Sequence, residues 1–233
     1  MPMNRPTYRD LSDRWKALRA THSIRVREVA CVGAARTLLC VEYGEPNLPT
    51  VLLSAGVHGD EPAGPLALLS LAERHELDAF FSYRIWPCTN PTGFDAGTRE
   101  NVDGIDINRT FARGGSSPEA KAIVMANRDY KFALSIDLHE DDEAGAFYAY
   151  EYGLEGTLFA DARRPDPQLE AAELGGLSLT LLLIRNASPR ALTLETPSSQ
   201  PLEARVGAHV AAVREALQWL SREQGAHGTA RST

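Results

Sequence analysis

The chain has 233 residues, 43% hydrophobic and 24% charged, enough to bury a full core and few enough for a single domain. A net charge of −7 and a pI near 5.4 argue against broad nucleic-acid or anionic-membrane binding, which needs concentrated Lys and Arg. The opening stretch MPMNRPTYRDLSDRWK has no apolar signal core, and no uncharged apolar run approaches the roughly 18 residues of a helical membrane span, so a cytoplasmic protein is expected.

In chain order, Tyr8 to Ala20 predicts a helix, with Leu11, Trp15 and Leu18 on one face and Asp10 or Ser12 near its start. Ile24 to Cys31 and Thr37 to Tyr43 read as strands of a hairpin. The continuous apolar run TVLLSA, Thr50 to Ala55, reads as a strand buried on both faces. A helix is expected over Glu61 to Leu77, with Pro62 tolerated in its first turn, then a strand over Ser82 to Cys88. Residues 94 to 117 show no period, and a long irregular loop inside a compact domain is usually functional. A helix over Pro118 to Arg128 follows, then strands over Phe132 to Leu138, Phe147 to Glu151 and Ala191 to Glu195, the last stopped by Pro197. Pro201 to Glu223 has the clearest helical period, through Leu202, Val206, Val210, Val213, Leu217 and Leu220. Residues 1–223 therefore form one domain, and 224–233, QGAHGTARST, are expected to be disordered. Cys31, Cys40 and Cys88 lack CxxC spacing and sit in apolar contexts, so reduced, packed thiols are expected.

Strand–helix alternation predicts an α/β fold of three layers, α/β/α, around a mixed, mostly parallel sheet. In such sheets sites form beyond the carboxyl ends of the strands. His58 and Glu61 follow the strand ending at Ala55, His139 follows SIDL, and Glu195 ends ALTLE, so three strand ends deliver chemistry to one edge. His58, Glu61 and His139 make the two-His, one-carboxylate set of a hydrolytic zinc site, with one ion per chain. The spacing of His58 and Glu61 suits one ion if the turn is tight, which Gly56, Gly59 and Gly64 permit. Glu195 is the candidate base for a zinc-activated water. His22, His75, His209 and His227 receive no role.

The irregular loop carries further motifs. His58-Gly59-Asp60-Glu61, Asn90-Pro91-Thr92-Gly93, Arg99, Gly104-Ile105-Asp106-Ile107-Asn108-Arg109-Thr110-Phe111, His139 and Glu195 stand in one order. Over roughly residues 50 to 200 this pattern resembles the zinc carboxypeptidases, a superfamily shared with succinylglutamate desuccinylase and aspartoacylase. The resemblance implies zinc on His58, Glu61 and His139, and Asp106 orienting a ligand histidine. It further implies Arg99 stabilising the oxyanion, Asn108 and Arg109 holding the substrate carboxylate, and Glu195 as general base and acid. The implied substrate is a small peptide or an N-acyl amino acid.

The chain also departs from that family. It is shorter than the digestive-type members, and LSLTLLLIRNASPRA, before Glu195, has no tyrosine where those enzymes carry one that closes over the substrate. Tyr148, Tyr150 and Tyr152 alternate after His139, as cross-strand packing or as a substitute for that tyrosine. The compact build looks more like small bacterial members that cut cell-wall peptides. The run from Glu140 to Glu143 reads as a site for a cationic substrate group, as ligands for a second metal, or as a solvated loop. Arg185 and Arg190 are candidates for reading an acidic side chain. A carboxypeptidase-like hydrolase is the leading expectation; an N-acyl amino acid deacylase and a metal-containing binding module without turnover are the alternatives. The oligomeric state is not encoded legibly.

Overall fold

The computed structural model describes residues 5–33, 35–112, 115–165 and 178–230. Helix α1 (Tyr8–Ala17) begins at a capping box in which Thr7 accepts from the Asp10 amide and Asp10 accepts from the Thr7 amide. A short 3-10 turn, Leu18–Ala20, then leads into the hairpin of β1 (Ile24–Val32) and β2 (Arg36–Tyr43). The remaining strands are β3 (Thr50–Ala55), β4 (Ser82–Trp86), β5 (Leu134–Asp141), β6 (Tyr148–Tyr152), β7 (Ala162–Arg163) and β8 (Ala191–Pro197). They form an eight-stranded sheet in the order β1-β2-β4-β3-β5-β8-β6-β7. The pairs β4/β3, β3/β5, β5/β8 and β6/β7 are parallel, while β1/β2, β2/β4 and β6/β8 are antiparallel.

Side-chain alternation assigns the two faces. Leu39, Val41, Val51, Leu53, Leu134, Ile136, Leu192 and Leu194 pack on one side beneath α1, α2 (Ala63–Glu73) and the last helix, α6 (Leu202–Ala230). Leu38, Cys40, Leu52 and Trp86 pack on the other with α4 (Pro118–Asn127) and α5 (Leu179–Asn186). The result is the three-layer α/β/α arrangement. TVLLSA is buried because β3 is paired on both edges and covered by helical layers on both faces.

Several boundaries differ from the sequence expectations. The helix expected from Glu61 begins at Ala63 with Pro62 at its N-cap, which frees Glu61 to sit in the preceding turn, and positive φ at His75 ends it early. Strands β5 and β8 run past Leu138 and Glu195, because pairing continues to Asp141 opposite Pro197. The stretch before β8, given no element from the sequence, is α5. The loop after β4 contains α3 (Pro91–Ala96), capped by Asn90, and a 3-10 turn, Ile107–Arg109, capped by Asp106. Helix α6 runs to Ala230 and so includes the start of the tail expected to be disordered from 224; residues 231–233 lie outside the described residues. Cys40 and Cys88 are buried thiols, but Cys31, on the edge strand β1, is exposed rather than packed. No helix among the described residues is long and apolar enough to cross a membrane.

One close contact positions the site. The turn after β3 lies directly on α3: a Cβ at Gly59 would stand 1.9 Å from the Gly93 carbonyl carbon. Hydrogen bonds from Asn90 N to Gly56 O (2.8 Å) and Gly59 N to Arg99 O (3.3 Å) knit the two segments. Gly59→Ala is expected to cost about 1–3 kcal/mol, toward the upper end because the obstacle is backbone that cannot rotate away. Chemical denaturation of the two proteins checks this, and equal midpoints would show that the segments separate easily.

Candidate active site

Parallel strands β3, β5 and β8 lie side by side and end on the same edge of the sheet. At that edge His58, Glu61, Arg99, Asn108, Arg109, His139 and Glu195 line a cavity of about 250 Å³. Asp106 stands behind them, within 3.5 Å of His58 and 3.1 Å of Arg99.

Glu61 is the hub. Its Oε1 meets His58 Nδ1 at 2.5 Å, and its Oε2 lies 3.1 Å from His139 Nδ1. Each imidazole turns its other nitrogen toward a carboxylate: His139 Nε2 is 3.2 Å from Asp137 Oδ2, and His58 Nε2 is 3.5 Å from Asp106 Oδ1. Asp106 also accepts from the Asn108 amide (2.9 Å) and from Arg99 Nε (3.1 Å). Asp137, two residues before His139 and on the same face of β5, accepts from Ser54 Oγ across the β3/β5 pair at 2.7 Å. The role of Asp137 went unread in the sequence, although its period-two spacing from His139 is the signal that reveals it.

These three residues are the group of converging metal-ligating side chains found among the described residues; their donor atoms lie within 4.8 Å of one another, and all three are buried. Glu61 Oε2 makes no hydrogen bond despite the nearby imidazole. An unsatisfied buried carboxylate oxygen is costly, and a divalent cation held by His58, Glu61 and His139 would satisfy it. The donor set therefore fits a metal that favours nitrogen and oxygen ligands, with carboxylates behind the imidazoles to fix their tautomers.

The electrostatics follow from this packing. Burial alone drives the Glu61 carboxyl up, but His139 and His58 outweigh it and hold it down at about 2. Burial disfavours the charged imidazoles, yet Glu61, aided by Asp106, raises His58, and Glu61 with Asp137 raises His139 further. Burial raises Asp106, but His58, Arg99 and Arg109 reverse this and hold it well below the usual carboxylate range. Burial pushes Glu195 up to about 7, with His139 opposing and Glu61 and Asp141 reinforcing the shift. A carboxyl with that value takes and returns protons near neutral pH. Glu195 is the register partner of His139 on one side and Tyr148 on the other, so the three form a row across the sheet.

The remaining walls resolve other sequence expectations. Asn108 Oδ1 accepts from the Leu179 amide at 3.2 Å, so its NH2 is the part left to face a ligand, and the start of α5 is fixed beside Ser178 and Thr180. Tyr148 and Tyr150 line the cavity rather than serving cross-strand packing alone; Tyr148 donates to Asp141 at 2.7 Å, and the Arg163 guanidinium stacks 3.7 Å from the Tyr148 ring. The acidic run is divided. Glu140 is buried, accepts from Ala63 N at 2.7 Å and pairs with Arg205, while Asp141 is held by Tyr148. It supplies no second group of three converging donors among the described residues. Arg190 lies over the Trp219 ring, 5.6 Å from its centroid, and is not among the cavity-lining residues; the Arg185 side chain lies outside the described residues.

The chain is similar to known proteins over part of its sequence and in its fold. Residues 47–152 match the model for the Succinylglutamate desuccinylase/Aspartoacylase catalytic domain. The chain is 32% identical over 111 residues to Carboxypeptidase SOL1 of Arabidopsis thaliana, covering 39% of this chain and 23% of that protein. It is 38% identical over 89 residues to Murein peptide amidase A of Escherichia coli (strain K12), covering 34% and 36% respectively. The matches thus span about a quarter and about a third of those relatives. Among solved structures, a metallo-carboxypeptidase from Burkholderia cenocepacia superposes with a TM-score of 0.69 at 16% identity, covering 95% of this chain and 70% of that one. Thrombin activatable fibrinolysis inhibitor superposes at 0.70 with 12% identity, over 94% and 75%.

Two measurements test the site. Asp137→Asn keeps an acceptor for Ser54 but loses the charge behind His139, and is expected to weaken metal affinity about 10- to 100-fold in a chelator competition; unchanged affinity would remove Asp137 from the site. The second concerns the metal-free protein. Its raised histidines give stability that is complete below their unfolded value of 6.5 and lost as pH rises through the folded values. The depressed Glu61 gives stability present above its unfolded value of 4.5 and lost as pH falls toward about 2. Thermal unfolding in chelator should therefore show this cluster contributing most between about pH 5 and 6.5 and less on the alkaline side, a difference that His139→Gln diminishes.

Proposed function

On the zinc carboxypeptidase-like fold and this donor set, we propose that the protein is a zinc-dependent metallocarboxypeptidase-like hydrolase cleaving an amide bond next to a free carboxylate. The observation that carries the reading is one cavity of about 250 Å³ holding the His58, Glu61 and His139 donors, Glu195, and the Arg99, Asn108 and Arg109 side chains together. That volume accommodates a small substrate end rather than a long chain.

Zinc held by His58, Glu61 and His139, one ion per chain, would supply Lewis acidity, polarising the scissile carbonyl and acidifying a water. Glu195 removes the proton from the attacking water and returns it to the leaving nitrogen. Arg99, braced through Nε and Nη2 by Asp106, presents Nη1 toward His58, where a guanidinium stabilises negative charge developing on the carbonyl oxygen. Arg109 and the Asn108 NH2 bind the terminal carboxylate and so set which bond is cut. Tyr148 and Tyr150 also line the cavity, where a side chain or the next peptide unit would rest.

The likeness to Murein peptide amidase A supports a cell-wall-type peptide as the substrate. The match to the Succinylglutamate desuccinylase/Aspartoacylase model supports a second reading, removal of an acyl group from an N-acyl amino acid with the same residues in the same roles. A mass-spectrometric hydrolysis screen separates them, with and without chelator, across free-acid peptides, carboxyl-amidated twins, murein-type peptides and N-acyl amino acids. Chelator-sensitive release of the last residue from free acids but not amides is the expected result. Cleavage confined to N-acyl amino acids would favour the second reading, and silence on all four classes would favour a binding module without turnover. Within the active class, Glu195→Gln is expected to lower kcat by about 10²–10⁴-fold with zinc retained, and full activity in that variant would overturn the mechanism.

A further inference from the structure

The strand pairing that aligns His139 with Glu195 aligns the next residues too: Glu140 lies opposite Thr196. Because side chains alternate, this second pair is directed toward the helices on the other face, where the Glu140 carboxylate is engaged although the residue also borders the cavity. There α6 offers two polar side chains one turn apart. Arg205 Nη1 donates to Glu140 Oε2, and His209 Nε2 lies 3.1 Å from Thr196 Oγ1. The other oxygen of Glu140 accepts from Ala63 N at 2.7 Å, two residues beyond Glu61.

The set is enclosed. Glu140 is 8% exposed, and Thr196 and His209 are 0% exposed. Burial holds the His209 imidazole down at about 3, so it is neutral, and the His139 carbonyl lies against the ring. Ionised and polar side chains are expensive in such a place and are retained where a fixed geometry is needed. Every segment they touch carries a site residue: the turn with Glu61, the strand with His139 and the strand with Glu195. Arg205 and His209 belong to a helix that contributes no residue to the cavity wall.

We infer that Glu140, Thr196, Arg205 and His209 form a buried polar brace whose role is to fix the spacing of Glu61, His139 and Glu195, making Arg205 and His209 positioning residues for the metal site. The inference rests on the proposed reading of those three side chains as metal ligands and proton acceptor. The brace holds the ligand turn through the first amide of α2, and it holds the base through the hydroxyl beside it. Arg205 and His209 act through backbone and neighbouring side chains, away from the cavity wall.

The test uses the full-length protein with Arg205→Met, His209→Leu, His209→Gln and Thr196→Val. Zinc affinity is measured by competition with a chromophoric chelator, the visible bands of the cobalt-substituted protein are recorded, and amide exchange at Ala63 is followed in the metal-free protein. All are taken well below each variant's thermal midpoint. The brace predicts at least tenfold weaker zinc binding, shifted cobalt bands and faster Ala63 exchange in Arg205→Met. It predicts a smaller loss of the same kind in His209→Leu that His209→Gln restores to within threefold. Lower thermal midpoints with unchanged affinity and cobalt spectrum would overturn it, leaving these residues as ordinary core. If Arg205→Met does not fold, Thr196→Val, which removes one hydroxyl at nearly constant volume, decides the same question through affinity and spectrum. Wild-type protein that binds no zinc would sink the metal-site reading itself, a result distinct from equal binding by wild type and variants.

Discussion

Everything at the sheet edge depends on one buried carboxylate held between two imidazoles. Glu61 reaches His58 from its own turn and His139 from a strand that is distant in sequence but adjacent to β3 in space. For one carboxylate to do both, the chain must reverse within a few residues of β3. That in turn requires the ligand turn to press on α3 with no side chain between them, the position Gly59 fills against Gly93. Helix α2 can start only after Glu61 has been delivered, at Ala63. A negative charge buried this deeply is costly unless compensated, and the two rings supply the compensation in the metal-free protein, where a divalent cation would take it over.

Sheet order does the rest. The parallel run β3-β5-β8 puts three carboxyl ends next to one another, and antiparallel β6 closes the row with Tyr148 beside Glu195. Polar side chains on β3 and β5, Ser54 and Asp137, continue the hydrogen-bonded support below the cavity, whereas the apolar residues on the opposite face tie the same strands to α2 and α6. The loop of residues 97–109 folds over the edge and is anchored at Asp106, whose one carboxylate touches Arg99, the Asn108 amide and His58. A single acidic residue thus sets a metal-facing ring and two groups suited to a substrate.

Much of this was legible in the amino-acid order because it depends on local pattern. The apolar run of β3, the hairpin and the period of α6 announce themselves through burial on one or both faces, and the HGDE, NPTG and GIDINRTF segments mark where backbone reverses and polar groups gather. What escaped reading depends on partners remote in sequence. The stretch that forms α5 is apolar nearly throughout, so its period cannot separate helix from strand, and the contact of Asn108 with Leu179 that marks its start spans a long interval. Glu140 read as part of an acidic run open to a cationic substrate group, a second metal or solvent, yet pleating turns it to Arg205 and Ala63 while its neighbour Asp141 turns to Tyr148. Asp137 looked like part of a strand core, though strand alternation places it on the same face as His139. Pro197 was expected to leave Glu195 at a strand end; instead β8 pairs as far as Pro197, holding Glu195 within the strand.

The central claim is that His58, Glu61 and His139 are one metal site and not three separately buried polar groups. Calorimetric titration of zinc into metal-free protein tests it most directly, with wild type beside the His58→Ala/His139→Ala double variant checked for folding by circular dichroism. One equivalent bound tightly by wild type, with proton release that grows as pH falls and no such binding by the folded variant, is the predicted result. Equal binding by both proteins, or none by wild type, would contradict the account.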